Sequence, residues 1–161
     1  MELNRTFLLL GSNLGDRINN LEKAIALIDL HIGLVLKRSS VYETKPWGKS
    51  DQPDFLNMAL IIKSFLGPEQ ILSHALSIEH KMGRSRIEKW GARLIDIDLL
   101  YVESEIINTA ELTLPHPGIA HRRFVLEPLT EIAPKFIHPV LNKNHIKLLE
   151  VCTDKLEVRK L

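Results

Sequence analysis

Between Thr6 and Val102 the apolar residues change period in a fixed order, and that order restricts the fold more than any other feature of the chain. Thr6 to Leu10 is a short apolar run closed by Gly-Ser-Asn, the pattern of a buried strand. Ile18, Leu21, Ile25 and Ile28 then recur at three or four residues, one apolar stripe of a helix with Gly33 as its stop. Leu34 to Thr44 reads as a second strand, residues 45–54 as a proline- and glycine-bearing loop, and Phe55 to Phe65 as a third strand. Pro68 opens a second helix whose stripe is Ile71, Leu72, Ala75, Ile78 and Met82, closed by Gly83. A basic segment, Arg84 to Arg93, leads to a fourth strand, Leu94 to Val102. The order βαββαβ predicts an α+β fold with a ferredoxin-like core: a mainly antiparallel sheet with both helices on one face. Pro115, Pro117, Pro128, Pro134 and Pro139 divide the C-terminal extension, where short elements and loops are expected, ending in a helix near 144–152. A length of 161 residues suits one domain, so residues 1–161 are read as a single unit.

The fourth strand carries the most informative motif, Asp96-Ile97-Asp98. Residues two apart on a strand share a face, so both carboxylates point the same way, about 7 Å apart along the backbone. Ile95, Ile97 and Leu99 turn to the opposite face, toward the helices. Two carboxylates on an apolar strand repel one another unless a cation sits between them. Mg²⁺ takes one or two carboxylates and completes its shell with water and substrate phosphate. The plainer reading, a wet sheet face with two solvated aspartates, stays open on this triplet alone. Immediately upstream, Arg84, Arg86, Lys89 and Arg93 are opposed only by Glu88. Guanidinium groups bind phosphate through paired hydrogen bonds, so a basic loop beside paired aspartates suggests a clamp for a polyphosphate.

Other features exclude more than they propose. Lys and Arg number 21 and Asp and Glu 20, a formal charge of +1, too even for a chain held on nucleic acid or an anionic membrane by bulk charge. One cysteine, Cys152, excludes an internal disulfide. Apolar runs are far too short for the ~20 residues of a membrane span. A cytoplasmic chain is expected. Gly48-Lys49-Ser50 is not a phosphate-binding P-loop, because Glu43 stands where the motif needs glycine. Gly11 to Gly15 is a strand-to-helix turn without a dinucleotide pattern, suited to lining a pocket. Trp90 in a polar loop is suited to stacking on a flat ring. Phe55 and Phe124 are candidates for the same role or for ordinary core packing, with Asn57 sharing the Phe55 face and able to read a heterocycle edge. His116 is held between two prolines; His31, His74, His80 and His145 are expected on helix surfaces or ends.

Several blocks, taken in order, resemble the 6-hydroxymethyl-7,8-dihydropterin pyrophosphokinase family of the folate pathway. They are Leu10-Gly-Ser-Asn-Leu-Gly-Asp16, Ser40-Val-Tyr-Glu-Thr44, Asp51-Gln-Pro-Asp-Phe-Leu-Asn57, and Trp90 through Tyr101 with Gly83-Arg-Ser-Arg86 before it. Pro115-His-Pro117, Arg122 to Leu126 and Pro128 to Pro134 complete the set. The resemblance implies diphosphate transfer from ATP to the pterin hydroxymethyl group, with AMP released. It implies two Mg²⁺ ions on Asp96 and Asp98, and catalytic roles for Arg84 and Arg93. By position, Arg84, Arg86, Trp90, Arg93, Ile97, His116 and Arg122 would contact ATP. Thr44, Lys45, Trp47, Phe55, Asn57, Asp96 and Phe124 would contact the pterin. The partners implied are these two small substrates, with no nucleic acid or membrane, for a monomer. Ala92, Pro117 and Leu76 depart from the family pattern, which bears on the Trp90 loop and on adenine and ribose contacts.

Two other classes compete. A phosphatase using Asp-x-Asp as nucleophile would carry the motif after an early strand of a parallel sheet, whereas here it lies in the last strand of βαββαβ. A ferredoxin-like nucleic-acid-binding module would want aromatics on its central strands and a broad basic face.

Overall fold

The computed structural model describes residues 2–45, 51–83 and 94–161. In chain order the elements are β1 (Asn4–Ser12), α1 (Arg17–His31), β2 (Leu34–Arg38), β3 (Tyr42–Thr44), β4 (Phe55–Ser64), α2 (Pro68–Lys81) and β5 (Asp96–Val102). A short hairpin β6 (Ile107–Asn108) and β7 (Thr113–Leu114) follows, then α3 (Arg123–Ile132), α4 (His145–Val151) and β8 (Val158–Lys160). The main sheet runs β5-β1-β4-β3-β8, and β2 pairs with β4 beside β3. Every pairing is antiparallel, and β1 lies between β5 and β4, as the split βαβ order requires. Among the described residues no helix is long and apolar enough to cross a membrane.

The second strand expected over 34–44 is two strands. Ser39 is buried and joins β4 through its N–H to the Ala59 carbonyl, while its Oγ accepts the Ala59 N–H, each at 2.9 Å. Ser40 then leaves the ladder and donates its N–H and hydroxyl to Glu131 of α3. Two consecutive serines offer the backbone these alternatives to the ladder, and the strand divides there.

Alternation along β1 and β4 sorts the core into two layers. Leu8, Leu10, Met58, Leu60 and Ile62 pack against Leu21, Ala24 and Ile28 of α1 and Ile71, Ala75 and Ile78 of α2. Phe7, Leu9, Ala59 and Ile61 face the other way, onto Val125, Leu126, Leu129 and Ile132 of α3 and Leu148 of α4. The two expected helices do share one face, and the C-terminal extension covers much of the other. The ten-residue α3 was not anticipated, because Pro128 lies inside it. Burying four apolar side chains at ~1.5–3 kcal/mol each outweighs the ~3 kcal/mol of an interior proline. The 3.6-residue spacing of Val125, Leu126, Leu129 and Ile132 was the available signal.

On β5, Asp96 pairs with Gly11, Asp98 with Leu9, and Leu99 with Leu8, but Phe7 pairs with Tyr101. Leu100 is therefore the extra residue of a β-bulge. Through it Leu99 and Val102 both face the α1/α2 layer, while Leu100 and Tyr101 both face the α3/α4 layer. Tyr101 joins Phe7, Phe136 and His145 in an aromatic cluster with centroid distances of 4.7 to 6.4 Å. His145 begins α4, a helix end as expected from sequence, but it is fully buried there. Its Nδ1–H donates to the Ala133 carbonyl at 2.7 Å, and the Tyr101 hydroxyl donates to Nε2 at 3.0 Å.

Candidate active site

The site is built at one end of the sheet, beyond the N-terminus of α3. Strand register puts Asp96, Gly11 and Asn57 in a row across β5, β1 and β4, with Asp98 beside Leu9 and Phe55 beside Thr44. These residues share the parity of Leu9 and Ala59, so they face the α3 side, where α3 has not yet begun to cover the sheet. A pocket of ≈ 590 Å³, counted to its open mouth, results. It gathers Thr44, Lys45, Phe55, Asn57, Asp96 and Phe124, all but one of the residues expected at the pterin. Trp47 lies outside the described residues.

Gly11 makes the pocket possible. A Cβ there would meet Asn57 Oδ1 at 2.8 Å and the Phe55 ring at 3.8 Å. Gly11 lies in the last residues of β1, not in the turn expected from sequence, and it lines the pocket. Asn57 is 4% exposed and donates from Nδ2 to Thr44 Oγ1 at 3.4 Å. Asn13, also buried, donates to Gln52 Oε1 at 2.8 Å and to the Pro53 carbonyl at 3.0 Å, tying the end of the 45–54 loop to β1.

A second, wider cleft of ≈ 810 Å³ lies beside the first and contains Ile97 and His116, with Leu76 and Pro117 on its wall. Asp96 and Asp98 line both cavities. Each is half-exposed, while Ile97 between them is buried with its N–H donating to Glu79 Oε2 at 2.7 Å. Glu79, only 3% exposed, is a polar residue that the helix-stripe reading of α2 did not single out. It sits one residue past Ile78, on the apolar edge of the stripe, where a carboxylate would have been the signal. Leu112 and Thr113, from the β6–β7 hairpin region, also border the wider cleft and were not foreseen.

Arg122 lines the first pocket, with its guanidinium 5.8 Å from the Phe124 ring centroid. A Cβ placed on Gly118 would lie 3.3 Å from His116 Nδ1 and 3.4 Å from Arg122 Cζ, so both side chains converge over that glycine. His116 Nδ1 accepts the Gly118 N–H at 2.9 Å, which leaves the ring proton on Nε2. Burial holds His116 below its ordinary range, the Arg122 charge adds to this, and Asp96 opposes it. Arg84, Arg86, Trp90 and Arg93 lie outside the described residues, which resume at Leu94 at the foot of β5.

A Mg²⁺ site fits the donor set: two same-face carboxylates, accessible from both cavities, supply hard oxygen ligands and leave room for water and phosphate. Among the described residues no group of three or more His, Cys, Asp and Glu side chains is placed to hold a metal.

Comparison with known proteins agrees in sequence and in fold. Residues 7–134 match the family model described as 7,8-dihydro-6-hydroxymethylpterin-pyrophosphokinase. The 2-amino-4-hydroxy-6-hydroxymethyldihydropteridine pyrophosphokinase of Bacillus subtilis is 46% identical over 130 residues, covering 80% of this chain and 78% of the relative. The enzyme of the same name from Synechocystis is 42% identical over 142 residues, covering 88% and 72%. Among solved structures, the wild-type HPPK-DHPS of Plasmodium falciparum with pteroate superimposes with a TM-score of 0.79 at 18% identity, a likeness of fold. That superposition covers 92% of this chain but only 44% of the larger protein.

Proposed function

We infer the chemistry from the family to which this chain belongs, the 7,8-dihydro-6-hydroxymethylpterin-pyrophosphokinases. The enzyme is an ATP-dependent diphosphotransferase of folate synthesis that moves pyrophosphate from ATP onto the hydroxymethyl group of the dihydropterin. By mass balance the other product is AMP: the hydroxymethyl oxygen bonds to the β-phosphorus as the bond from β-phosphorus to the α-phosphate oxygen breaks.

We propose how this chain's residues divide the work. Phe55 and Phe124 would flank the pterin ring, with Asn57 reading its edge and Thr44, Lys45 and Trp47 lining the same pocket. Ile97 and His116 would border the nucleotide, with Arg84, Arg86, Trp90, Arg93 and Arg122 on its phosphates. Asp96 and Asp98 would hold Mg²⁺, two ions in this reading. The observation that carries the proposal is that this aspartate pair belongs to both cavities at once, so each substrate would reach the reaction centre from its own side. Bound Mg²⁺ would neutralise phosphate charge as it redistributes toward the leaving AMP. Glu79 would keep the two carboxylates aligned by fixing the Ile97 amide between them. His116, neutral and protonated on Nε2, would offer a donor rather than a charge.

We propose further that the 161 residues form one catalytic domain acting as a monomer in the cytoplasm; both hydrophobic layers lie on a single sheet, in support of one domain. The central test is product analysis. Purified protein with MgATP should form AMP only when 6-hydroxymethyl-7,8-dihydropterin is added; ADP or free phosphate in its place refutes the assignment. Phe124→Ala should weaken pterin binding, read from pterin fluorescence, without unfolding the protein.

A further inference from the structure

We propose that the C-terminal segment 152–161 is a positioning element of this active site, in which Asp154 and Arg159 fasten the two walls of the pterin pocket. The proposal rests on the pocket assignment above. It concerns residues beyond the family match, which ends at residue 134.

The first wall is the start of α3. Arg122, the residue before the helix, provides no side-chain cap. Asp154 supplies one from the C-terminal segment: its Oδ2 accepts the Arg123 N–H at 3.0 Å, and Oδ1 accepts the Leu156 N–H at 3.0 Å. One carboxylate oxygen therefore holds the helix terminus while the other shapes the turn that presents it. A negative charge at a helix N-terminus also meets the positive end of the helix dipole. The residues on either side of Arg123 are Arg122 and Phe124, and both line the pocket.

The second wall is β3. It is three residues long, and β8 pairs along its outer side, setting Arg159 opposite Glu43 and Val158 opposite Thr44. Arg159 Nη2 donates to Glu43 Oε1 at 2.6 Å. Glu43 Oε2 accepts from Arg17 Nη1 at 2.8 Å, and the same Nη1 donates to the Asp54 carbonyl at 2.9 Å. Glu43 immediately precedes Thr44 and Lys45, and Asp54 immediately precedes Phe55, so the chain of contacts ends beside three pocket residues. Exposed ion pairs fix little on their own, but the Glu43 side chain is only 15% exposed and is held from both sides. Asp154 and Arg159 touch none of the reacting groups. They act through Arg123 and Glu43.

The test is fluorescence titration with 6-hydroxymethylpterin, together with steady-state kinetics, on Asp154→Ala, Asp154→Asn, Arg159→Ala and Arg159→Lys. Assays run well below each variant's melting temperature. Each alanine variant should raise the pterin Kd and KM by roughly three- to tenfold with a smaller change in kcat. The Asn and Lys variants, which keep an acceptor oxygen or the positive charge, should recover part of that loss. A purely structural role would lower melting and leave pterin affinity within twofold of wild type; that result overturns the proposal. Where an alanine variant does not fold, its conservative counterpart is read against the same limit. Phe124→Ala separates the two levels. Unchanged pterin affinity there removes the pocket assignment, whereas a loss there with unchanged affinity in the Asp154 and Arg159 variants removes the positioning role alone.

Discussion

Acid should loosen the α3/α4 layer through one residue, His145. Burial drives its folded pKa down to about 4 from an ordinary 6.5; nearby His138 adds to this, and the hydrogen bond to the Ala133 carbonyl opposes it. The unfolded chain therefore binds the proton more readily, and stability rises with pH across this interval. The contribution is complete above the unfolded value and is lost as pH falls toward the folded one. At ~1.36 kcal/mol per unit, His145 alone removes about 2 kcal/mol of stability between pH 7 and pH 5, and about 3 kcal/mol below both values. For a domain of this size the first figure corresponds to a melting decrease of roughly 4–7 °C. His138, also lowered by burial, acts in the same direction. Glu131 does not interfere: burial pushes it up, hydrogen bonds from Tyr42 and Ser40 outweigh that, and its window opens only below its ordinary 4.5. The assay is urea unfolding followed by circular dichroism at pH 7, 6 and 5, for wild type and His145→Asn. The variant should be less stable at pH 7, because the buried Tyr101 hydroxyl loses its acceptor. It should then lose about 2 kcal/mol less than wild type on reaching pH 5. Parallel wild-type and variant curves between pH 7 and 5 would refute the argument.

Other outcomes follow from the site. Gly11→Ala should raise the KM for the pterin tenfold or more, since its Cβ would come within 2.8 Å of Asn57 Oδ1; steady-state kinetics with pterin varied reads this directly. Glu79→Ala should cost ~1–3 kcal/mol by leaving the buried Ile97 N–H without its acceptor, and should lower kcat by disturbing the aspartates on either side. Glu79→Gln, which retains an acceptor, should recover most of the stability in a melting experiment. Asp96→Ala and Asp98→Ala should each abolish AMP formation with circular dichroism unchanged, and near-normal turnover in either would remove the metal-ligand role. Arg84→Ala or Arg93→Ala should slow turnover or weaken ATP binding tenfold or more, at ~1.5–3 kcal/mol per charged contact.

Local pattern carried much of this structure. The βαββαβ order, the shared face of Asp96 and Asp98, and the inward turn of Ile97 and Leu99 all follow from periods of 2 and 3.6, and those periods are visible in a single chain. The failures lie where a distant partner decides. Nothing in Leu34 to Thr44 announces that Ser40 will turn aside to Glu131, which is 91 residues away. Pro128 reads locally as a breaker, because the sheet surface that compensates it is assembled from β1, β4 and β5. His145 had the polar character of a surface residue, and only the placement of Tyr101 and Ala133 gives its ring two partners in the interior. The aromatic and amide residues of the pocket were legible one by one. That Gly11 must be glycine was not, because the reason is an Asn57 side chain on the neighbouring strand.

The bulge at Leu100 sets the phase of β5. Its N-terminal half counts outward from the aspartates and its C-terminal half counts inward from Tyr101, and the two counts disagree by one residue. The extra position absorbs the disagreement. Deleting Leu100 would set Tyr101 directly after Leu99 in an unbulged ladder, with Asp96, Asp98 and Tyr101 still on one face and Leu99 and Val102 on the other. What the bulge adds is a second apolar side chain, Leu100, buried beside Tyr101 against the α3/α4 layer. The deletion should therefore remove the burial of one leucine, ~1.5–3 kcal/mol, while the two aspartates and the aromatic cluster keep their faces.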